Sequence, residues 1–179
     1  MQLEKCQHMI RKIKMLLVED NEDERLFIKE GFLQTGLYEI VGEAENGNEV
    51  LELLNKSLVP TPDVILSDLN MPGKNGYEVI IGIKTNNSLS HLPVAILTTA
   101  PLKPFAERCK QLGACAYFTK PDTFLEYKKF AEEIYGDLKQ CLNNEKLNCS
   151  AIVKLKEMVI NSLCGTGLRY RFYIETRHL

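Results

Sequence analysis

The chain has 179 residues, enough for one domain of ordinary size with some length to spare. Hydrophobic residues make up 45% and charged residues 26%, which suits a water-exposed globular fold with a full core and excludes a disordered chain. With 22 Lys and Arg against 24 Asp and Glu, the overall field selects no polyanionic partner. Cysteines at 6, 109, 115, 141, 149 and 164 form no Cys-x-x-Cys pair, and only three histidines accompany them, so no zinc framework is visible. Cys109 and Cys115 lie among apolar residues, where a free thiol behaves as a small core side chain. The apolar run Met15–Val18 is too short for a signal peptide, and no run is long enough to span a bilayer. A reduced, cytoplasmic setting is the expectation.

Residues 1–12 are polar and read as a loose lead-in, with Met9 as an alternative start. Ile13–Val18 is a β-type run ending in Glu19-Asp20. Asn21 with Glu24 resembles a capping box and opens a helix to about Thr35, with Leu26, Phe27, Phe32 and Leu33 as its apolar face. Gly36 closes it. Tyr38–Gly42 is a second strand, Asn46-Gly47 a turn, and 48–56 a second helix. Pro60-Thr61-Pro62 leads into Val64-Ile65-Leu66-Ser67, an apolar run too brief for a helix that delivers a single acid, Asp68, before Pro72 and Gly73. A third helix covers Gly76–Lys84, and Pro93–Thr98 is a fourth strand followed by Thr99-Ala100. Lys103–Leu112 is a fourth helix stopped by Gly113. Cys115–Thr119 is a fifth strand ending at Lys120-Pro121. Thr123 with Glu126 caps a fifth helix whose inner face carries Tyr127, Phe130, Ile134 and Leu138.

Five strands alternating with five helices imply an α/β fold, a five-stranded parallel sheet doubly wound in the flavodoxin-like order 2-1-3-4-5. Right-handed crossovers place every strand's carboxyl end on one edge, where ligands of open α/β sheets bind. Glu19, Asp20, Asp68, Thr99 and Lys120 all close such strands. Three carboxylates at about 4 Å repel by roughly 1–4 kcal/mol per pair, so positive charge must offset them. Lys120 supplies one charge, and an oxygen-seeking dication such as Mg²⁺ is the natural second. With the Thr99 hydroxyl, the pocket suits a phosphoryl group beside Asp68, whose carboxylate is a competent nucleophile.

The motifs Leu17-Val18-Glu19-Asp20-Asn21, Ser67-Asp68-Leu69-Asn70-Met71-Pro72-Gly73, Leu97-Thr98-Thr99-Ala100 and Phe118-Thr119-Lys120-Pro121 carry a resemblance. Over residues 12–142 the chain resembles the receiver domain of bacterial two-component response regulators, of the single-domain, chemotaxis-regulator type. The resemblance implies that Asp68 accepts phosphate from the phosphohistidine of a histidine kinase or phosphotransfer protein. It implies Mg²⁺ held by Asp20, Asp68 and the backbone carbonyl of Asn70, with Glu19 acting through water. Thr99 and Lys120 would contact phosphoryl oxygens, Lys120-Pro121 would be a cis peptide, and Tyr117 would move inward with Thr99 as a switch. The output would be a changed protein-binding face on the fourth helix, fifth strand and fifth helix. Such a protein is a phosphoacceptor that catalyses only its own phosphorylation and dephosphorylation.

Residues 143–179 read as a C-terminal extension: a helix over Ser150–Leu163, then an alternating strand from Leu168 to Ile174. No second helix follows to build a two-helix DNA reader, so signalling through protein contacts is expected, with homodimer formation left open. Three other readings compete. A haloacid-dehalogenase-type phosphatase needs a second acid two positions after the first, where Asn70 stands. A flavin binder needs an anion-friendly first loop, and Glu19–Glu24 is acidic. A phosphorylation-independent dimer or scaffold module would have no use for Asp68, Thr99 and Lys120 together.

Overall fold

The computed structural model describes residues 11–100 and 102–154, with side chains over 11–100 and 104–143. The apolar runs form β1 (Ile13–Val18), β2 (Tyr38–Ala44), β3 (Val64–Ser67), β4 (Val94–Thr98) and β5 (Ala116–Thr119). They make one parallel sheet in the order β2-β1-β3-β4-β5. Between them run α1 (Glu22–Gln34), α2 (Gly47–Asn55), α3 (Gly76–Thr85) and α4 (Leu102–Leu112), with α5 (Tyr127–Lys154) last. Strand order reverses between β1 and β3, so the crevice at the sheet's carboxyl edge opens beside Asp68.

β1, β3 and β4 are buried on both faces, which is why their sequences are continuous apolar runs. Met15, Leu17, Leu66 and Leu97 face α1 and α5 and pack on Phe32, Ala131, Ile134 and Leu138. Leu16, Val18, Ile65 and Ile96 face α2, α3 and α4 and pack on Val50, Val79, Ile80 and Cys109. Alternate residues of each strand thus serve two separate cores.

Several local expectations need correction. The inner face of α1 is Ile28, Gly31 and Phe32, while Leu26 and Leu33 are 48% and 44% exposed. The cause is Gly31: a Cβ there would lie 2.5 Å from Tyr127 Cβ, so α5 closes on the glycine and not on a leucine stripe. Phe27 stacks on Phe124 in the short 3-10 turn Phe124–Glu126 before α5, with ring centroids 5.0 Å apart. β2 runs on to Ala44, and Asn46, expected in a turn, is the N-cap of α2, its side chain accepting from the Asn48 and Glu49 N–H groups.

The fifth helix does not stop near 142, where the domain boundary was expected; it runs unbroken to Lys154. No Gly or Pro lies between Asp137 and Lys154 to end it. The first residues of the expected second helix (150–163) therefore belong to α5. The rest of that helix, the strand from 168 to 174 and most of the 1–12 lead-in lie outside the described residues. No helix among the described residues is long and apolar enough to cross a membrane.

Candidate phosphoacceptor site

Backbone hydrogen bonds level the strand ends before any side chain acts. The Asp68 N–H donates to Val18 C=O at 2.8 Å, Glu19 N–H to Ala44 C=O at 3.0 Å, and Lys120 N–H to Thr98 C=O at 3.0 Å. The loop after β3 then folds back onto the start of α3, where a Cβ on Gly76 would lie 2.5 Å from the Asp68 carbonyl oxygen. Only glycine permits that approach, and it holds the Asp68 backbone at the edge of the crevice.

Glu19, Asp20 and Asp68 each present a carboxylate oxygen within 4.8 Å of the other two. Glu19 and Asp68 are buried and Asp20 is exposed. The buried Lys120 ammonium lies 2.8 Å from Glu19 Oε2, 3.0 Å from Glu24 Oε2 and 3.2 Å from Asp68 Oδ1. The second Asp68 oxygen, Oδ2, accepts from Asn70 N–H at 2.6 Å. Burial alone would pull the Lys120 pKa down, yet the Glu19 hydrogen bond and the surrounding carboxylates push it above the usual lysine value, so it stays an ammonium. Burial raises the Glu19 pKa, an effect that Lys120 opposes and the Asp68 charge reinforces. Hard oxygen donors, packed closer than one ammonium can neutralise, are the donor set a small dication takes.

The two threonines after the apolar run of β4 sit in different surroundings. Thr98, the last residue of β4, is fully buried on the face that carries Ile96 and Tyr117, whereas Thr99 is exposed beyond the strand. Thr98 Oγ1 accepts from Ala100 N–H at 3.4 Å, and Ala100 C=O accepts from the Tyr117 hydroxyl at 3.2 Å. The residue one place earlier is thus the one wired to Tyr117. Tyr117 itself is buried, 4% exposed. The Lys120–Pro121 peptide is trans, against the expected cis form. Trans is the intrinsically favoured X–Pro isomer by about 0.5–1 kcal/mol, and Lys120 reaches its three carboxylates from it.

Glu24 and Tyr127 were not foreseen at the site. Asn21 caps α1 by accepting from Glu24 N–H at 2.9 Å, but its own N–H donates to Glu19 Oε1 at 3.3 Å. The Glu24 carboxylate accepts from the Tyr127 hydroxyl at 2.9 Å and pairs with Lys120. The available signal was local: with Asn21 as N-cap, Glu24 falls in the first turn of α1, immediately after the acids that close β1.

The family model for the response regulator receiver domain matches residues 15–129. A probable chemotaxis protein CheY of Rhizobium etli is 31% identical over 130 residues, covering 72% of this chain and 96% of that protein. The crystal structure of the phosphorylated cyanobacterial phytochrome response regulator RcpA superposes with a TM-score of 0.62 at 29% identity, over 69% of this chain and 91% of that one. The Mn²⁺-bound form of response regulator Rcp1 gives 0.56 at 29% identity, over 68% and 91%. A buried Asp–Lys pair at the carboxyl edge of a 2-1-3-4-5 sheet, together with a family match over most of the described chain, places this protein in the response regulator receiver domain family of two-component signalling.

Proposed function

We propose that Asp68 is the phosphoacceptor of this receiver and takes its phosphoryl group from the phosphohistidine of a histidine kinase or phosphotransfer protein. The observation that supports this most is the Lys120 ammonium 3.2 Å from Asp68 Oδ1 within the three-carboxylate cluster. An Asp68 carboxylate oxygen attacks phosphorus, the phosphorus–nitrogen bond breaks, and its electron pair leaves with the donor imidazole. Lys120 meets the charge gathering on the phosphoryl oxygens, while the Asn70 N–H orients the carboxylate by holding Oδ2. Glu19, Asp20, Asp68 and the backbone carbonyl of Asn70 would hold Mg²⁺, which supplies further neutralisation of the phosphoryl oxygens. A relative, Rcp1, is described in a Mn²⁺-bound form, which agrees with that donor set.

The switch hydroxyl is Thr98, in place of the expected Thr99, because Thr98 is buried and shares Ala100 with Tyr117. Drawing Thr98 Oγ1 toward a phosphoryl oxygen releases the Ala100 N–H and loosens the hold on the Tyr117 hydroxyl. This alters the surface of α4, β5 and α5, where a downstream protein or a second copy binds. The protein works in the cytoplasm as a phosphoacceptor with no other substrate. Incubation with acetyl phosphate and Mg²⁺ tests the reading: the wild type gains one acid-stable, base-labile phosphoryl group mapped to Asp68, and Asp68→Asn gains none. Equal labelling of both proteins sinks it.

A further inference from the structure

We propose that Glu24 is a positioning residue for phosphoryl transfer: it holds the Lys120 ammonium from the α1 side and is itself fixed by the Tyr127 hydroxyl of α5. The proposal rests on Asp68 being the phosphoacceptor. An ammonium has three N–H donors, and Lys120 faces three carboxylates, Glu19, Glu24 and Asp68, at 2.8, 3.0 and 3.2 Å. Two of those three belong to the cluster suited to a cation, and one of the two is the acceptor itself. Once Asp68 carries a phosphoryl group and Glu19 turns toward a cation, Glu24 is the anionic partner of Lys120 whose charge is not committed elsewhere. It keeps Nζ in the crevice while the ammonium's remaining donors turn to the phosphoryl oxygens.

The local structure shows that this placement departs from the ordinary one. Glu24 occupies the third position of α1, where a capping-box glutamate bonds back to the N-cap N–H. Here the Asn21 N–H is taken by Glu19, and the Glu24 carboxylate reaches Tyr127 and Lys120 instead. Tyr127 is 3% exposed, and its backbone is pressed against Gly31 of α1, so its hydroxyl is a fixed donor. The Glu24 side chain is 32% exposed, which makes substitution there tolerable for folding.

The test compares rates of Asp68 labelling by acetyl phosphate with Mg²⁺ in wild type, Glu24→Gln, Tyr127→Phe, Lys120→Ala and the Glu24→Gln/Lys120→Ala double variant. Loss of one charge-assisted contact to Lys120 slows Glu24→Gln about tenfold, and Tyr127→Phe about threefold. In the Lys120→Ala background, Glu24→Gln changes the rate less than about twofold, because the group it acts through is gone. A second readout needs no turnover: ¹⁵N NMR of the Lys120 ammonium, without metal or phosphodonor, shows faster proton exchange with solvent in Glu24→Gln than in wild type. Wild-type rates and an unmoved Lys120 signal in Glu24→Gln, with Asp68 still labelled, overturn this proposal alone. A full Glu24→Gln effect surviving in Lys120→Ala also overturns it. Failure to label Asp68 in the wild type removes the phosphoacceptor reading and this proposal together.

Discussion

Thr98 Oγ1 and the Tyr117 hydroxyl bond to opposite ends of one residue, Ala100, so neither moves without disturbing the other. Thr98→Ala removes the link at a buried position, whereas Thr99→Ala trims an exposed side chain. Aromatic NMR signals of Tyr117 therefore shift on phosphorylation in wild type and Thr99→Ala but stay put in Thr98→Ala; a shift surviving in Thr98→Ala refutes the assignment. Cys109 illustrates the opposite use of burial. Its thiol, 0% exposed, is pushed up to about 11 by desolvation, against a small opposing pull from Arg108. Burial disfavours the charged thiolate, so raising pH to 8 leaves roughly one thiol in a thousand ionised. Peptide mapping after Ellman's reagent at that pH finds Cys109 unmodified in the folded protein and modified in urea. Rapid native labelling at Cys109 contradicts this.

The contact between α1 and α5 turns on Gly31. Replacing a helix-interior glycine by alanine ordinarily gains about 1 kcal/mol. Here the new methyl would meet Tyr127 Cβ at 2.5 Å, and overpacking of that kind costs about 1–3 kcal/mol. The clash wins: Gly31→Ala lowers the urea midpoint by the equivalent of about 1 kcal/mol and carries the Tyr127 hydroxyl away from Glu24. An unchanged or higher midpoint shows that the helices part freely. This glycine also marks where reading the sequence ran out. The strands were legible because blocks such as Val64–Leu66 are apolar on both faces, and the acids of the cluster and Lys120 were legible because each lies just past the end of a strand. The inner stripe of α1 was not, since its closest packing uses a residue with no side chain at all. Glu24 was assigned to a cap because local chemistry can be read along the chain, whereas its partner Tyr127 stands 103 positions away. The end of β4 at Thr98 was legible, but which of the two threonine hydroxyls turns inward was not, since both offer the same group and only packing buries Thr98 and exposes Thr99.

Across the whole molecule, β1, β3 and β5 lead Glu19, Asp20, Asp68 and Lys120 to one edge and α1 adds Glu24, so that Glu19, Glu24 and Asp68 surround a single ammonium with Asp20 beside Glu19 and Asp68. In the unfolded chain these carboxylates are dispersed in water, so their mutual repulsion is a cost borne by the folded state alone. Glu19, Asp68 and Lys120 are buried, so simple salt screens them poorly. A dication that binds the assembled cluster but not the open chain stabilises folding by about 2.7 kcal/mol at a concentration 100 times its Kd. For a domain of this size that raises the thermal midpoint by about 5–10 °C. Mg²⁺ at saturating concentration therefore lifts the midpoint, while NaCl at matched ionic strength does not. Asp20→Asn removes an exposed carboxylate of the cluster with little effect on packing, so it is expected to abolish most of the Mg²⁺-dependent rise while leaving the metal-free midpoint level or higher. Calorimetric scans that respond equally to both salts, or that keep the full Mg²⁺ rise in Asp20→Asn, show that the cation binds elsewhere.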